Sequence, residues 1–564
     1  MKKSPKSFSV ILFLTMIVLS PAFLFAQDLE NIAKQKPFEV HGNASLNLIG
    51  YGVSGIEPRR QPFSWVLSAN VTASVYGIQF PFSFTISDQQ KSYAQPFNQF
   101  GLSPHWKWIT VHAGYRNITF SNYTLAGRTF VGAGVELNPS ILRFGFVYGR
   151  FDRKTTDNPL MVTDSLPNFK STGFAVKLGV GTEKNFFDLI LLRIRDDSTS
   201  VVQSDTSAIR TPEQNVVMGF NSHFTFSKRL TLEVEGAFSL YTTNTGAEPF
   251  EDVENDKTLS ALNSFLVINQ STEYYYAARA ALQYHDKNVK VKAEYRRVEP
   301  KYRSMGAYFF NNDLENFTIS PTVGFWKKKV IVGGSLGLQR DNLRASKKAT
   351  SMRTIGSAML SFNPSSTFGL DLNYSNYGMN QKAGRLPLVD STKVHQVTNN
   401  LTVIPRLMFT NVSHVHMVML TYLWMNLNDQ NSSTSEFTRM VTHTAQLTYN
   451  LSWIESRWTM ITGLNFVQVT NFGGVGSNWG ITAGGNKALL DDKLNIGLNN
   501  ALMRSDYAGT KGWVLNVNLN GTYQINVHHS LRLNGYYTGN FFPDGTTVPS
   551  FNEFKGDLMY VYTF

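Results

Sequence analysis

The chain contains no cysteine. Disulfides, thiol catalysis and cysteine-ligated metals are therefore excluded, as is lipidation of a mature N-terminal cysteine. Charge is sparse: Asp, Glu, Lys and Arg make up 16% of 564 residues, against about 25% in soluble proteins. Long apolar runs are missing too. Beyond the first segment no stretch approaches about 18 consecutive apolar residues, so a bundle of spanning helices is excluded. There is no Pro-rich spacer or low-complexity run to divide the chain into domains. No Walker-type or Rossmann-type glycine loop occurs. The formal charge of +12 is spread along the chain. It fits solvated turns and rims, and nucleic-acid binding would need a clustered basic patch.

What is present is aromatic and alternating. Phe, Trp and Tyr reach 13%, glycines number 42, and mean hydropathy is −0.18. A wall with alternate residues facing lipid produces this intermediate value. Strand side chains point to opposite faces with a period of two. Phe63, Trp65, Leu67, Ala69, Val71, Ala73 and Val75 alternate mostly with polar residues, and Ile78, Phe80, Phe82, Phe84 and Ile86 resume the pattern. Leu230, Leu232, Val234, Gly236, Phe238 and Leu240 alternate with Thr231, Glu233, Glu235, Ala237 and Ser239. Trp513, Leu515, Val517 and Leu519 alternate with Asn516, Asn518 and Asn520. A helical period would place Glu233 and Glu235 on the same arc as Val234, which fits badly. A soluble sandwich or solenoid also alternates, but strand number, aromatic load and the first segment argue against it.

That first segment reads as a secretory signal, 1–26. Lys2, Lys3 and Lys6 precede the ten-residue apolar run Val10–Leu19, then Pro21, with cleavage expected after Ala26. Residues 27–36 form a short periplasmic stretch, and 37–564 form the barrel. Short connections at 227–229, 286–288, 327–329 and 363–366 alternate with long ones at 152–170, 196–213, 243–270, 299–314, 341–350, 378–393 and 540–554. The expected fold is all-β: a single transmembrane antiparallel β-barrel of about 26 strands. Direct counting finds about 25. Asn117–Leu125, after a tight turn at Tyr115-Arg116, supplies the extra strand that makes the number even and leaves both termini periplasmic. The alternative is that 116–128 folds into the lumen and the count is about 24.

Leu558, Tyr560, Tyr562 and Phe564 alternate up to an aromatic last residue. This resembles the C-terminal signature by which outer-membrane barrels are recognised for assembly. In texture, signal segment and C-terminus the chain resembles the large outer-membrane barrels of Bacteroidota. That resemblance implies a bacterial outer-membrane location, with outer-membrane lipids, the barrel-assembly machinery and other envelope proteins as partners. Trp326, Trp453 and Trp458 stand beside short turns, where an aromatic belt meets headgroups.

Two inner-wall features are candidates for function. Glu233, Glu235, Glu273, Arg279, Lys290, Lys292, Glu294 and Arg296 form a charged lumen cluster, either a neutralising network or a conduction path. Between Val415 and Trp424 both faces are apolar; Val418, Leu420, Tyr422 and Trp424 are assigned to the lumen as an apolar patch, under an inward loop or facing a partner. The aromatic segment Tyr295–Asp313 reads as an ordered outer loop. Catalysis is not expected. Ser222 and His223 point to opposite faces, while His414 and His416 lack a third ligand in suitable spacing. His528-His529 reads as a turn pair, and no cofactor is expected. The sequence thus implies a passive pore or translocation channel, or alternatively a structural barrel that scaffolds a larger envelope complex.

Overall fold

The computed structural model describes residues 36–76, 78–88, 101–153, 168–201, 210–249, 266–308, 310–383, 393–507, 509–546 and 548–564. The signal segment 1–26 and most of 27–36 lie outside the described residues, as does much of the connections 88–104, 152–170, 196–213, 243–270 and 378–393.

Twenty-six antiparallel strands form one closed barrel. The first strand, Phe38–Ser54, pairs on one edge with Phe63–Val75 and on the other with the last strand, Phe551–Thr563. Ala44 stands opposite Tyr562 and Ser54 opposite Asn552. Phe564 completes the seam by exchanging backbone hydrogen bonds with Gly42 at 2.9 and 3.0 Å. Closure matters because a free sheet edge in hydrocarbon would leave a row of backbone N–H and C=O groups without partners.

Register fixes which side chains share a face, because directly opposed residues project to the same side. Starting from Leu232, Val234 and Phe238, successive registers place Tyr274, Phe317, Leu338, Leu401, Trp424 and Leu447 on that face. Leu464, Ile481, Leu498, Leu519, Leu533 and Leu558 continue it to the seam. The result is a continuous apolar outer belt suited to lipid. Trp326 and Trp458, both exposed, stand at the short-turn end, and Trp479 and Trp513 stand nearer the other end. Indole rings at both interfaces fit headgroup depth.

The even strand number comes from a different place than the sequence suggests. Ile109–Thr119 runs straight through Tyr115-Arg116 as one strand, so there is no turn there. The additional strand is a broken one, Gly101–Leu102 with His105–Trp106, bridging Ile78–Ser87 and Ile109–Thr119. Pro104 lies in the break and has no N–H to give the ladder. Residues 120–125 belong to no strand and fold inward, yet the count stays at 26. The alternation of long and short connections also lapses late in the chain, where Asn471–Gly474 and Tyr507–Thr510 are both tight turns.

The infolded residues build a core inside the barrel. Among the described residues, every buried apolar side chain except Tyr51 and Ala69 lies between Ile118 and Leu314, inclusive. Phe120, Tyr123 and Leu125 pack with Tyr302, Met305 and Phe310 against Val147, Leu192, Ile194 and Val217 of the inner wall. Thus 299–313, read from sequence as an outer loop, turns inward and meets 120–125. The Tyr302 hydroxyl donates to the Tyr123 carbonyl (2.5 Å), and the Ser304 hydroxyl to the Thr124 carbonyl (2.6 Å). The Ala126 N–H donates to the Gly306 carbonyl (2.9 Å). Burial pushes the Tyr302 phenol well above its usual range, which keeps it a donor. Gly219 permits the approach: a Cβ there would come 2.5 Å from Thr124 Cγ2.

Candidate functional site

The charged cluster gathers on the inner face. Glu233 and Glu235 oppose Ala281 and Arg279, and Arg279 opposes Arg296 on the following strand. By the same registers Glu273, Lys290, Lys292 and Glu294 share that face. Arg279 reaches both Glu233 and Glu294 at 3.1 Å, and Lys292 reaches Glu294 at 2.7 Å. Glu235 is buried and accepts the backbone N–H and the side-chain amide of Asn122, tying the wall to the infolded segment. Glu273 lies 3.7 Å from Lys301 of the infolded loop. Arg296 lines a recess of about 450 Å³ with Tyr123, Arg279 and Phe310. Lys290 makes no ion pair among the described residues. Four positive and four negative side chains make the cluster neutral in sum. Its partly exposed pairs contribute little stability, about 0–1 kcal/mol each.

Sequence reasoning missed the extension of this network around the wall. Arg143 grips Asp188 with two bonds of 2.7 and 2.9 Å, the geometry of a strong bidentate pair. Lys177 pairs with Glu136 at 3.1 Å and lies over the Phe120 ring at 4.9 Å. Arg128 pairs with Asp152 at 2.5 Å and donates to the Met305 carbonyl at 2.8 Å. Each occupies an inward parity position, which was legible. That they meet across neighbouring strands depends on register.

The register corrects the apolar patch. Trp424 opposes Leu401 and Tyr422 opposes Val403, so Val418, Leu420, Tyr422 and Trp424 lie on the outer, lipid face. Their inward neighbours are Met417, Met419, Leu423 and Met425. With both faces apolar, alternation alone has no polar side to mark the lumen.

The remaining candidates are dispersed. Ser222 donates to the Val234 carbonyl at 2.8 Å, while His223 stacks on Phe186 from the other face. His416 Nδ1 lies 2.9 Å from the Tyr449 hydroxyl, and no group of three metal-ligating side chains occurs among the described residues. His529 Nδ1 is 2.5 Å from the Tyr560 hydroxyl in the seam region. Leu558, Tyr560 and Tyr562 pair with the first strand and, with Phe564 beside them, mark the closing seam.

The neutral half of the lumen contrasts with the charged half. On the five strands from Met440–Trp453 to Thr510–Gln524, no inward position carries a charged side chain. Lys487, Arg504, Asp506 and Lys511 all lie on the outer face. The inner wall there is built of Asn, Thr, Gln, Gly and a few small or apolar residues.

No protein-family profile and no curated protein sequence matches this chain. Solved outer-membrane barrels are similar in structure. The translocation pore of the P pilus usher PapC aligns at 11% identity over 93% of this chain and 99% of its own, with a TM-score of 0.38. The PapC-PapD-PapK-PapG tip assembly intermediate of the E. coli P pilus aligns at 10% identity over 92% of this chain and 60% of its own, with a TM-score of 0.44. OccAB2 of Acinetobacter baumannii aligns at 9% identity over 63% of this chain and 92% of its own, with a TM-score of 0.31.

Proposed function

We propose that this barrel is a passive channel of the bacterial outer membrane, with both termini periplasmic and the infolded segments 120–125 and 299–313 narrowing one side of its lumen. One observation supports the reading above others: the buried core is confined to one sector, and the neutral inner wall opposite it keeps its side chains half-exposed. A barrel of this strand number is wide enough to hold an aqueous path beside such a filling. The charged cluster and the Arg143–Asp188 pair then act as a rigid, self-neutralised bank along that path. No side-chain constellation in the described residues supports catalysis. The chain's partners on this reading are outer-membrane lipids and the barrel-assembly machinery, which would engage Leu558, Tyr560, Tyr562 and Phe564.

The experiment is reconstitution of the purified chain into planar bilayers. Stepwise, ohmic conductance is the expected result. A silent membrane with correctly folded barrel inserted overturns the channel reading. A second reading, a structural barrel scaffolding an envelope complex, is favoured by the dense packing of 299–313 against 120–125, since filling a lumen suits support better than flow. Co-purification of envelope proteins with a silent barrel is its signature.

A further inference from the structure

The neutral wall contains a recess of about 380 Å³ whose lining includes Gln446, Thr482, Asn499, Asn516, Asn518 and Tyr536. All six face the lumen by register. They come from five of the six consecutive strands between Met440 and Phe541, with Tyr536 on the strand that borders the neutral wall. Asn516 accepts the Thr538 hydroxyl at 3.0 Å. Among the described residues, no protein hydrogen bond occupies the side-chain amides of Gln446, Asn499 and Asn518 or the hydroxyl of Tyr536. Space for the amides is provided by Gly484, which opposes Asn499: a Cβ there would sit 2.1 Å from Asn499 Oδ1. Lys555 lies 5.7 Å from the centre of the Tyr536 ring, and Arg532 faces the lumen on the same strand as Tyr536; the two mark the edge of the neutral zone.

Resting on the channel reading, we infer that this recess is a subsite for neutral polyhydroxylated solutes, of which linear oligosaccharides are the representative class. A carboxamide offers two donors and an acceptor on one side chain. A polyol presents hydroxyls that both give and take, so a row of amides matches it wherever it lands. The Tyr536 ring adds an apolar surface with a polar tip, suited to the C–H faces of a pyranose. On the five neutral strands a charged solute would find no inward counter-ion, the cations Arg532 and Lys555 standing only beyond their edge, and it would lose hydration on entering. The charged bank across the lumen holds its own pairs, so the two sides of the path differ in what they favour.

The test uses the full mature chain in detergent and in bilayers, with maltohexaose as probe and a polyethylene glycol of similar mass as the control. Saturable binding of maltohexaose, with none of the glycol, is expected by titration calorimetry. The triple variant Asn499→Ala, Asn516→Ala, Asn518→Ala is expected to weaken it about tenfold or more, since three hydrogen-bonding side chains are lost. Absence of saturable binding to the unaltered chain overturns the subsite, and so does equal affinity of the triple variant or equal binding of the glycol. Conductance separates the two claims. Oligosaccharide binding by a silent barrel leaves the subsite standing and overturns the channel. A conducting barrel whose current maltohexaose does not interrupt overturns the subsite and leaves the channel standing.

Discussion

Removing the Tyr302 side chain should release the infolded segment from the wall. Tyr302 is 1% exposed and sits edge-on to Tyr123 and Phe310, with ring centroids at 6.1 and 5.1 Å. Its hydroxyl is the only partner of the Tyr123 carbonyl among the described hydrogen bonds. Tyr302→Phe keeps the ring but leaves that carbonyl buried without a donor, at a cost of about 1–3 kcal/mol. Tyr302→Ala also empties the ring's volume, and aromatic-to-alanine changes in cores cost about 3–5 kcal/mol. The chain has no cysteine, so a single introduced thiol is unambiguous. Ser121 is buried in the infolded segment 120–125, and Ser121→Cys is nearly isosteric. In that background, labelling by a water-soluble maleimide requires the segment to open. If opening is a pre-equilibrium, each 1.4 kcal/mol raises the labelling rate about tenfold. Tyr302→Phe should then speed labelling by about one to two decades and Tyr302→Ala by two to three. Equal rates in all three proteins would refute the claim that this contact holds the segment. Labelling of the parent as fast as a free thiol would show that the segment is not packed at all.

Further predictions rest on the same geometry. Gly219→Val should drive a side chain into Thr124, cost about 1–3 kcal/mol by overpacking, and raise Ser121→Cys labelling without altering the β-sheet content seen by infrared spectroscopy. Arg279→Ala should leave thermal stability within about 1 kcal/mol, because its pairs are partly exposed. It also removes one positive charge from a balanced cluster, so reversal potentials in a salt gradient should shift toward cation selectivity; an unchanged potential would place the cluster off the conduction path. Deletion of Phe564, whose backbone closes the seam with Gly42, should lower the folded, heat-modifiable fraction several-fold in cells while the purified chain still refolds in detergent.

Much of this fold was legible in sequence because lipid imposes a period of two on every strand. Leu232 to Leu240 and Trp513 to Leu519 show it cleanly, and the inward positions Glu233, Arg279 and Glu294 followed from it. What was not legible depends on contacts between distant segments. Phe120 to Leu125 continues from a strand with no breaker, and only the surface offered by Tyr302, Ser304 and Gly306 draws it inward. The broken strand at Gly101–Trp106 is hidden because Pro104 interrupts it and only two-residue ladders remain. Between Val415 and Trp424 the lipid face and the lumen face are equally apolar, so pairing with Leu401 and Val403 decides the side. The neutral recess was invisible for a related reason: Gln446, Thr482, Asn499 and Tyr536 are ordinary strand residues until five registers align them.

The barrel wall meets opposite solvents at alternate positions of each strand. Single cysteines placed along Trp513–Gln524 in liposome-reconstituted protein test this most directly. Cysteines at Asn516, Asn518 and Asn520 should react with a bulky hydrophilic maleimide. Fluorophores at Leu515, Val517 and Leu519 should be quenched by nitroxide-bearing lipids. Reactivity and quenching that fail to alternate, or that alternate with the opposite sense, would contradict a closed barrel with its apolar face in the membrane.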